Sequence, residues 1–385
     1  MPLARITVSL FLLVLLVPGL HVAAANDPSG RPPVGPLERY DERTYDVGFQ
    51  ALIKARNVLD GRVPDRIQLQ EMTVAMPFIF NSTFSAVDPD TLRAQLWLDS
   101  TPDPDVNDRG RLSGGLPWNL QLAAFEVPAH TGENVRWRMG FRAQVWSSRI
   151  TSEAEAAARS WPREFPAEVQ AGLRPQPYIQ SEAPLFRDAV AHVSEGRLRL
   201  VPPYYAAKDL VRYCMNSIRV RGDGNVRGNL GVLFGMELQG ALRTAETQEG
   251  SPHDLVCVCV AMLRAAGIPA RPVVGIRYDD ERTVYEFVSW LEWYLPEAGW
   301  IPVDPNWMKT VGIRDRPVQQ AWDGFGNVRE LNEWIPLSFS YVAPGHQSAS
   351  DVPAVWGWNL PRATGLVQHL QFEISRAASA SPTTR

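Results

Sequence analysis

Cysteine is scarce in this chain of 385 residues, which carries only Cys214, Cys257 and Cys259. An exported domain stapled by disulfides would carry more, in an even number. Cys257 and Cys259 cannot bridge each other within one helix, where positions two apart point to different sides; a bridge from Cys214 to either stays open. Lysine is equally sparse, at Lys54, Lys208 and Lys309, so the basic complement is almost all arginine. No basic tract interrupts a formal net charge of −4, which argues against nucleic acid or an anionic lipid surface as partner. His130, His192, His346 and His369 show no H-x-x-x-H or Cys/His ligand spacing, so no metal and no other cofactor is expected. Asp279-Asp280-Glu281 lacks the spacing of a calcium loop and reads as a solvated turn. Internal repeats are lacking, and beyond the N-terminus so is any run apolar enough to span a bilayer.

What is present is the composition of a folded protein, 45% hydrophobic and 21% charged. The first 25 residues stand apart: one arginine, the apolar run ITVSLFLLVLLVPGL, then Ala23-Ala24-Ala25. This is the pattern of a cleaved secretory signal, with an uncleaved anchor as the alternative. Its loss removes Arg5 and takes the net charge from −4 to −5. A secreted or periplasmic location follows as the expectation, without a membrane span after cleavage.

From Arg66 to Ile150 the apolar residues recur with period two. In VRWRMGFRAQVW, Val135, Trp137, Met139, Phe141, Ala143 and Val145 alternate with polar partners, as in a half-buried strand. Several such runs without intervening helices predict an antiparallel β-sandwich. A short helix is expected around Phe49–Leu59. Helical spacing then takes over at Thr151–Arg159, Arg163–Leu173, Leu185–Val193, Tyr205–Ile218 and Leu255–Ala266, the last stopped by Gly267 and Pro269. Strand-like RPVVGIRY, VYEFVSWLEWYL and GWIPVD follow. The fold class read from this order is α+β. Its expected parts are a signal peptide (1–25), an N-terminal segment (26–65), the sandwich (66–155), a helix-plus-antiparallel-sheet domain (160–345) and a C-terminal extension (346–385).

LRAAGIPAR followed by WLEWYLPEAGWIPVDP resembles the core of the transglutaminase-like superfamily, a papain-like cysteine-enzyme fold, of the exported bacterial type. The likeness covers about Pro162 to Tyr341, and the paired GIPAR and GW-x-x-x-DP motifs at this separation are specific. The resemblance implies a cysteine at the start of the long helix, where unpaired N–H groups and the helix dipole favour thiolate. It also implies a histidine on a following strand and an aspartate that orients it. The cysteine should lie twelve residues before Arg264, and the histidine twelve before Trp300. Pro252 and Val288 stand there, so the triad positions read Pro252, Val288 and Asp304. Proline suits a first helical turn and valine suits a packed strand, so each replacement keeps local structure while deleting the reactive group.

Two readings compete. In the first, the chain is catalytically inactive and acts by binding or scaffolding a peptide or envelope protein, with Trp290, Glu292 and His253 lining whatever groove persists. Core packing is the competing role for Trp290 and for the other tryptophans crowded after it. In the second, the chain is a cysteine acyltransferase or peptidase whose nucleophile has moved to Cys257 or Cys259. The signal pattern yields an independent expectation: mature protein begins at Asn26. N-terminal sequencing of material exported by the native host checks it, and an intact Met1 on that material rejects cleavage.

Overall fold

The computed structural model describes residues 32–55, 66–108, 110–113, 118, 120–227, 233–279, 284–341, 357–358 and 366–377. Residues 1–25, expected to be a signal peptide, lie outside these residues. The N-terminal part is a two-layer antiparallel arrangement. One sheet contains β1 (Leu37–Ala55), β2 (Ser85–Leu98) and β4 (Asn134–Ile150), with β1 paired on its outer side to the C-terminal strand Leu366–Arg376. The second sheet places β3 (Leu120–Val127) between Met72–Ile79 and Gly110–Ser113. The period of two is realised in β4, where the six residues from Val135 to Val145 face inward. Trp137 is the central side chain, 5.7 Å from the ring of Phe49 in its own sheet and 5.5 Å from that of Phe125 in the other.

The expected helix at Phe49–Leu59 is corrected. Phe49 to Ala55 continue β1, and residues 56–59 lie outside the described ones. Phe49, Ala51 and Ile53 are buried alternately, and β1 is hydrogen-bonded along both edges, which outweighs local helical spacing. Residues 66–155 therefore supply most of the strands, while β1 and the C-terminal strand come from the flanking segments.

Beyond β4 come α1 (Glu153–Ala157), α2 (Pro184–Ser194) and α3 (Pro203–Ser217). Arg163–Leu173 is not a full helix: only a 3₁₀ stretch forms, from Ala167, after Pro166 has set an extended backbone. A small hairpin, β5 (Asn225–Arg227) with β6 (Leu233–Met236), and α4 (Ala241–Thr247) precede the long α5 (Pro252–Ala265). The antiparallel sheet follows as β7 (Ala270–Asp279), β8 (Val284–Leu295) and β9 (Gly299–Val303). It is extended by β10 (Trp334–Ser338), giving the order β9-β8-β7-β10, and α6 (Pro305–Thr310) sits between β9 and β10. Helix α5 packs between the sheet and α2, α3, α4 and α6. Residues 253–264 are all buried, which explains why its sequence is apolar on every side. The α+β class is borne out.

The two parts are stitched together by polar contacts. Ser148 and Val328 form an isolated bridge, Ile150 N–H donates to Asn327 Oδ1 at 2.8 Å, and Arg43 pairs with Glu333 at 2.7 Å. The junction also holds a buried cation. Lys208 Nζ on α3 bonds Glu153 on α1 at 2.7 Å and the carbonyls of Val318 and Gln320 at 3.2 and 2.9 Å. The rings of Tyr204, Trp322 and Phe325 surround it. Burial depresses the Lys208 pKa, and Glu153 opposes that shift. Glu153→Ala would leave this ammonium without its counter-charge, and we expect a loss of ~3 kcal/mol. Equilibrium urea unfolding measures it; an unchanged midpoint would mean that the carbonyls and rings suffice.

Candidate functional site

The start of α5 is built by its sequence. Ser251 caps the helix by accepting from the Asp254 N–H, and the Asp254 side chain answers by accepting from Ser251 N–H, a complete capping box. Pro252 occupies the first helical position, where its missing N–H has no intrahelical role. The other Asp254 oxygen accepts from the N–H groups of Gln239 and Gly240 at 2.9 and 2.8 Å. Gly267, at φ +73°, ends the helix as the sequence indicates.

Val288 is half-buried on β8, directly opposite Gly275 of β7. That glycine is needed: a Cβ on it would lie 2.9 Å from the Trp290 ring. Trp290 is buried and packs on Trp334 with ring centroids 5.3 Å apart. Glu292 is buried as well, its Oε2 accepting from Arg271 Nε and Nη2 at 2.9 and 2.6 Å. His253 is buried in turn, with Nδ1 2.7 Å from Ser289 Oγ. The expected groove of Trp290, Glu292 and His253 is thus corrected: all three are interior side chains. Trp293, Trp300, Trp322 and Trp334 are buried too, Trp307 is exposed, and Trp356 lies outside the described residues.

Asp304 follows β9 and caps α6, its Oδ1 accepting from the N–H groups of Asn306 and Trp307, both at 3.0 Å. Burial raises its pKa to about 6 against these two stabilising bonds. The Asn306 side chain reaches back to the Pro252 carbonyl at 3.1 Å, so the starts of α5 and α6 are tied together. Spacing put Pro252 at the start of α5, while the strand expected to carry Asp304 ends at Val303 and Asp304 instead begins α6.

The sulfurs lie elsewhere. Cys257 and Cys259 are fully buried, and burial pushes both thiol pKa values well up. The charge of Asp254 adds to this for Cys257, and contact with Cys214 adds to it for Cys259. All three cysteines are unbridged. A residue that sequence reasoning passed over is Ser289, which accepts from Tyr341 Oη at 3.2 Å while contacting His253. Tyr341 in turn contacts Cys257. This His253–Ser289–Tyr341–Cys257 chain draws on three separate parts of the sequence, and no spacing rule announces it. Burial drives the His253 pKa down to about 4, against weaker pulls from the Gly224 backbone and Asp223, so the ring is neutral.

With this geometry in place, likeness to known proteins can be assigned. The pattern of the transglutaminase-like superfamily matches residues 197–305. Those residues form a transglutaminase-like domain. A candidate cysteine protease from Cytophaga hutchinsonii shares the fold, at 11% identity and a TM-score of 0.52, over 89% of this chain and 93% of that one. The periplasmic domain of TgpA from Pseudomonas aeruginosa matches at 16% identity with a lower TM-score of 0.34, over 73% of this chain and 93% of that one. No curated protein matches the sequence. The family match begins just before α3 and ends at the residue after Asp304, so it spans both helix starts and the three-stranded part of the sheet that carries Val288.

Asp304 gives this transglutaminase-like domain a pH signature. Its folded pKa stands above the ordinary 3.8, so its contribution to stability is complete below that value and is lost as pH rises through about 6. Asparagine caps helices as well as aspartate but carries no charge. Asp304→Asn is therefore expected to gain on the native protein by up to ~3 kcal/mol between pH 4 and pH 7. Urea midpoints of both proteins at the two pH values check it. His253 titrates in both and drops out of the difference; a constant difference would mean that Asp304 keeps its usual carboxylate pKa.

Proposed function

We propose that this is an exported, catalytically inactive transglutaminase-like protein that acts by binding or scaffolding peptide or envelope-protein partners. The first turn of α5 carries this reading. Pro252 fills the position where the family pattern would put a thiol, and Ser251 and Asp254 complete the cap around it. At the strand position for the base stands Val288, whose side chain neither accepts nor donates a proton. Asp304, the remaining member of the expected triad, spends its carboxylate on capping α6. A nucleophile and base that act as one unit lose nearly all their rate advantage when either is removed, and both are replaced here.

The alternative, a cysteine acyltransferase or peptidase using Cys257 or Cys259, meets two physical obstacles. Both sulfurs are enclosed on every side by the helices and sheet around α5, and both are held as thiols. A buried neutral thiol attacks amides poorly. Export rests on the composition of residues 1–25. Among the described residues no helix is long and apolar enough to cross a membrane.

Purified protein is expected to release or transfer no amide from glutamine-containing peptides above a heat-denatured control, with or without added amine. Turnover that iodoacetamide abolishes on the folded protein would overturn the reading. Cys257→Ser and Cys259→Ser would then show which sulfur acts.

A further inference from the structure

The chain between α3 and α5 folds back on itself as the β5–β6 hairpin and lies against both walls of the candidate site. Its base is closed by Glu237 N–H donating to the Gly224 carbonyl at 2.7 Å. On the helix side, Gly224 has φ +77° and no room for a side chain. A Cβ there would lie 2.7 Å from His253 Cδ2 and 3.2 Å from Pro252 Cδ. The next residue meets the opposite wall. Asn225 accepts from Phe287 N–H at 2.8 Å and donates to the Phe287 carbonyl at 3.4 Å, one residue before Val288. Arg227 donates to the Tyr285 carbonyl at 3.0 Å.

These β8 groups lie on the edge that β9 leaves open, because β9 pairs only with Leu291–Leu295. The Asn225 and Arg227 side chains thus do for that edge what a neighbouring strand would do. Two consecutive residues, Gly224 and Asn225, thus lie against the two walls, beside the point where His253 and Ser289 join them. The hairpin base is pinned in addition to the helix cap, with Ser251 Oγ donating to the Glu237 carbonyl at 2.6 Å.

We propose that Gly224–Arg227 is an intramolecular plug, filling the groove between the first turn of α5 and the open edge of β8 and denying it to any extended peptide. The inference does not rest on catalytic inactivity: a plug of this kind would block an active site equally. A partner peptide, if one is bound, then docks on another surface or must first displace the hairpin.

The test reads occupancy through a thiol introduced by Pro252→Cys, against native cysteines that are all buried. N-ethylmaleimide labelling of the peptide containing position 252 is followed by mass spectrometry, in the full chain and in urea. The introduced thiol is expected to react at least about tenfold more slowly in the folded chain than in the unfolded one, as a group that needs local opening does. Because Gly224 and Glu237 already bond as the ends of a tight turn, residues 225–236 can be replaced by Asn-Gly as a two-residue loop. This excision leaves Gly224 without the Asn225 and Arg227 bonds that hold it between α5 and β8, and should restore most of the reactivity. Asn225→Ala with Arg227→Ala, made in the same background, keeps the backbone and should restore part of it. The point variants carry the test if the excised protein lacks a cooperative thermal transition. Labelling at the unfolded rate in the full chain would overturn the plug, and so would protection that neither change relieves.

Discussion

The ion pair between Arg271 and Glu292 fixes the sheet on which everything else is arranged. Both side chains are out of water, and the guanidinium edge meets one carboxylate oxygen through two nitrogens. Phe339 and Trp300 close over the cation at 3.8 and 4.1 Å, and Trp118 approaches it at 5.8 Å. The two residues face each other directly in the β7–β8 register. A slip of one position would turn one of the two charges to the opposite face and leave its partner buried and unpaired. Aromatic faces and a shared oxygen thus lock the register, and the register decides that Val288 lies opposite Gly275 and that Ser289 meets His253. Arg264 plays a related part on α5, binding the Ala270 and Arg174 carbonyls at 2.8 and 2.5 Å and so fixing the turn from helix to sheet.

Much of this was legible because it is local. The GIPAR residues announced the end of α5 and the start of β7, and alternation in VRWRMGFRAQVW announced the inward face of β4. Pro252 could be placed at a helix start because the family spacing located it and proline suits that position, whereas the helix that Asp304 caps was not foreseen. What escaped was assembled from a distance. The β1 run carries apolar residues that satisfy a helix as well as a strand, and only its two neighbours decide between them. Ser289 and Tyr341 carry no signal beyond their names, and their partnership with His253 exists only after three elements have met. Asn225 looks like any turn residue until its side chain is seen bonding a strand edge. The tryptophans after Trp290 could line a groove or fill a core, and burial was what separated the two.

The sandwich is part of the candidate site's support. Asp304 N–H donates to the Gly324 carbonyl at 2.8 Å, and the segment that follows Gly324 is the one bridged to β4 through Asn327 and Val328. Gly326 lies so close to the end of β4 that a Cβ would come within 2.5 Å of the Ile150 side chain. On the far side, Phe372 of the C-terminal strand packs on Tyr285 and Phe287, the β8 residues whose backbone the hairpin binds. The transglutaminase-like domain is held at two places by a framework that begins before it and ends after it.

That framework has a consequence for how the chain comes to be folded. Gln50 and Gln371 sit side by side in one sheet although 321 positions separate them. Everything from α1 to β10 is in effect an insertion between strands of a single sheet. Pairing across such a separation contributes nothing to early collapse, and topologies of this kind form slowly. As the chain folds, β1 must wait beside β4 with one edge bare until the strand Leu366–Arg376 arrives. The open edge is a template for intermolecular pairing throughout that interval. The C-terminal strand therefore acts as the closing seam of the molecule, and a segment far from the GIPAR and GW-x-x-x-DP motifs governs how long the newly made chain stays exposed.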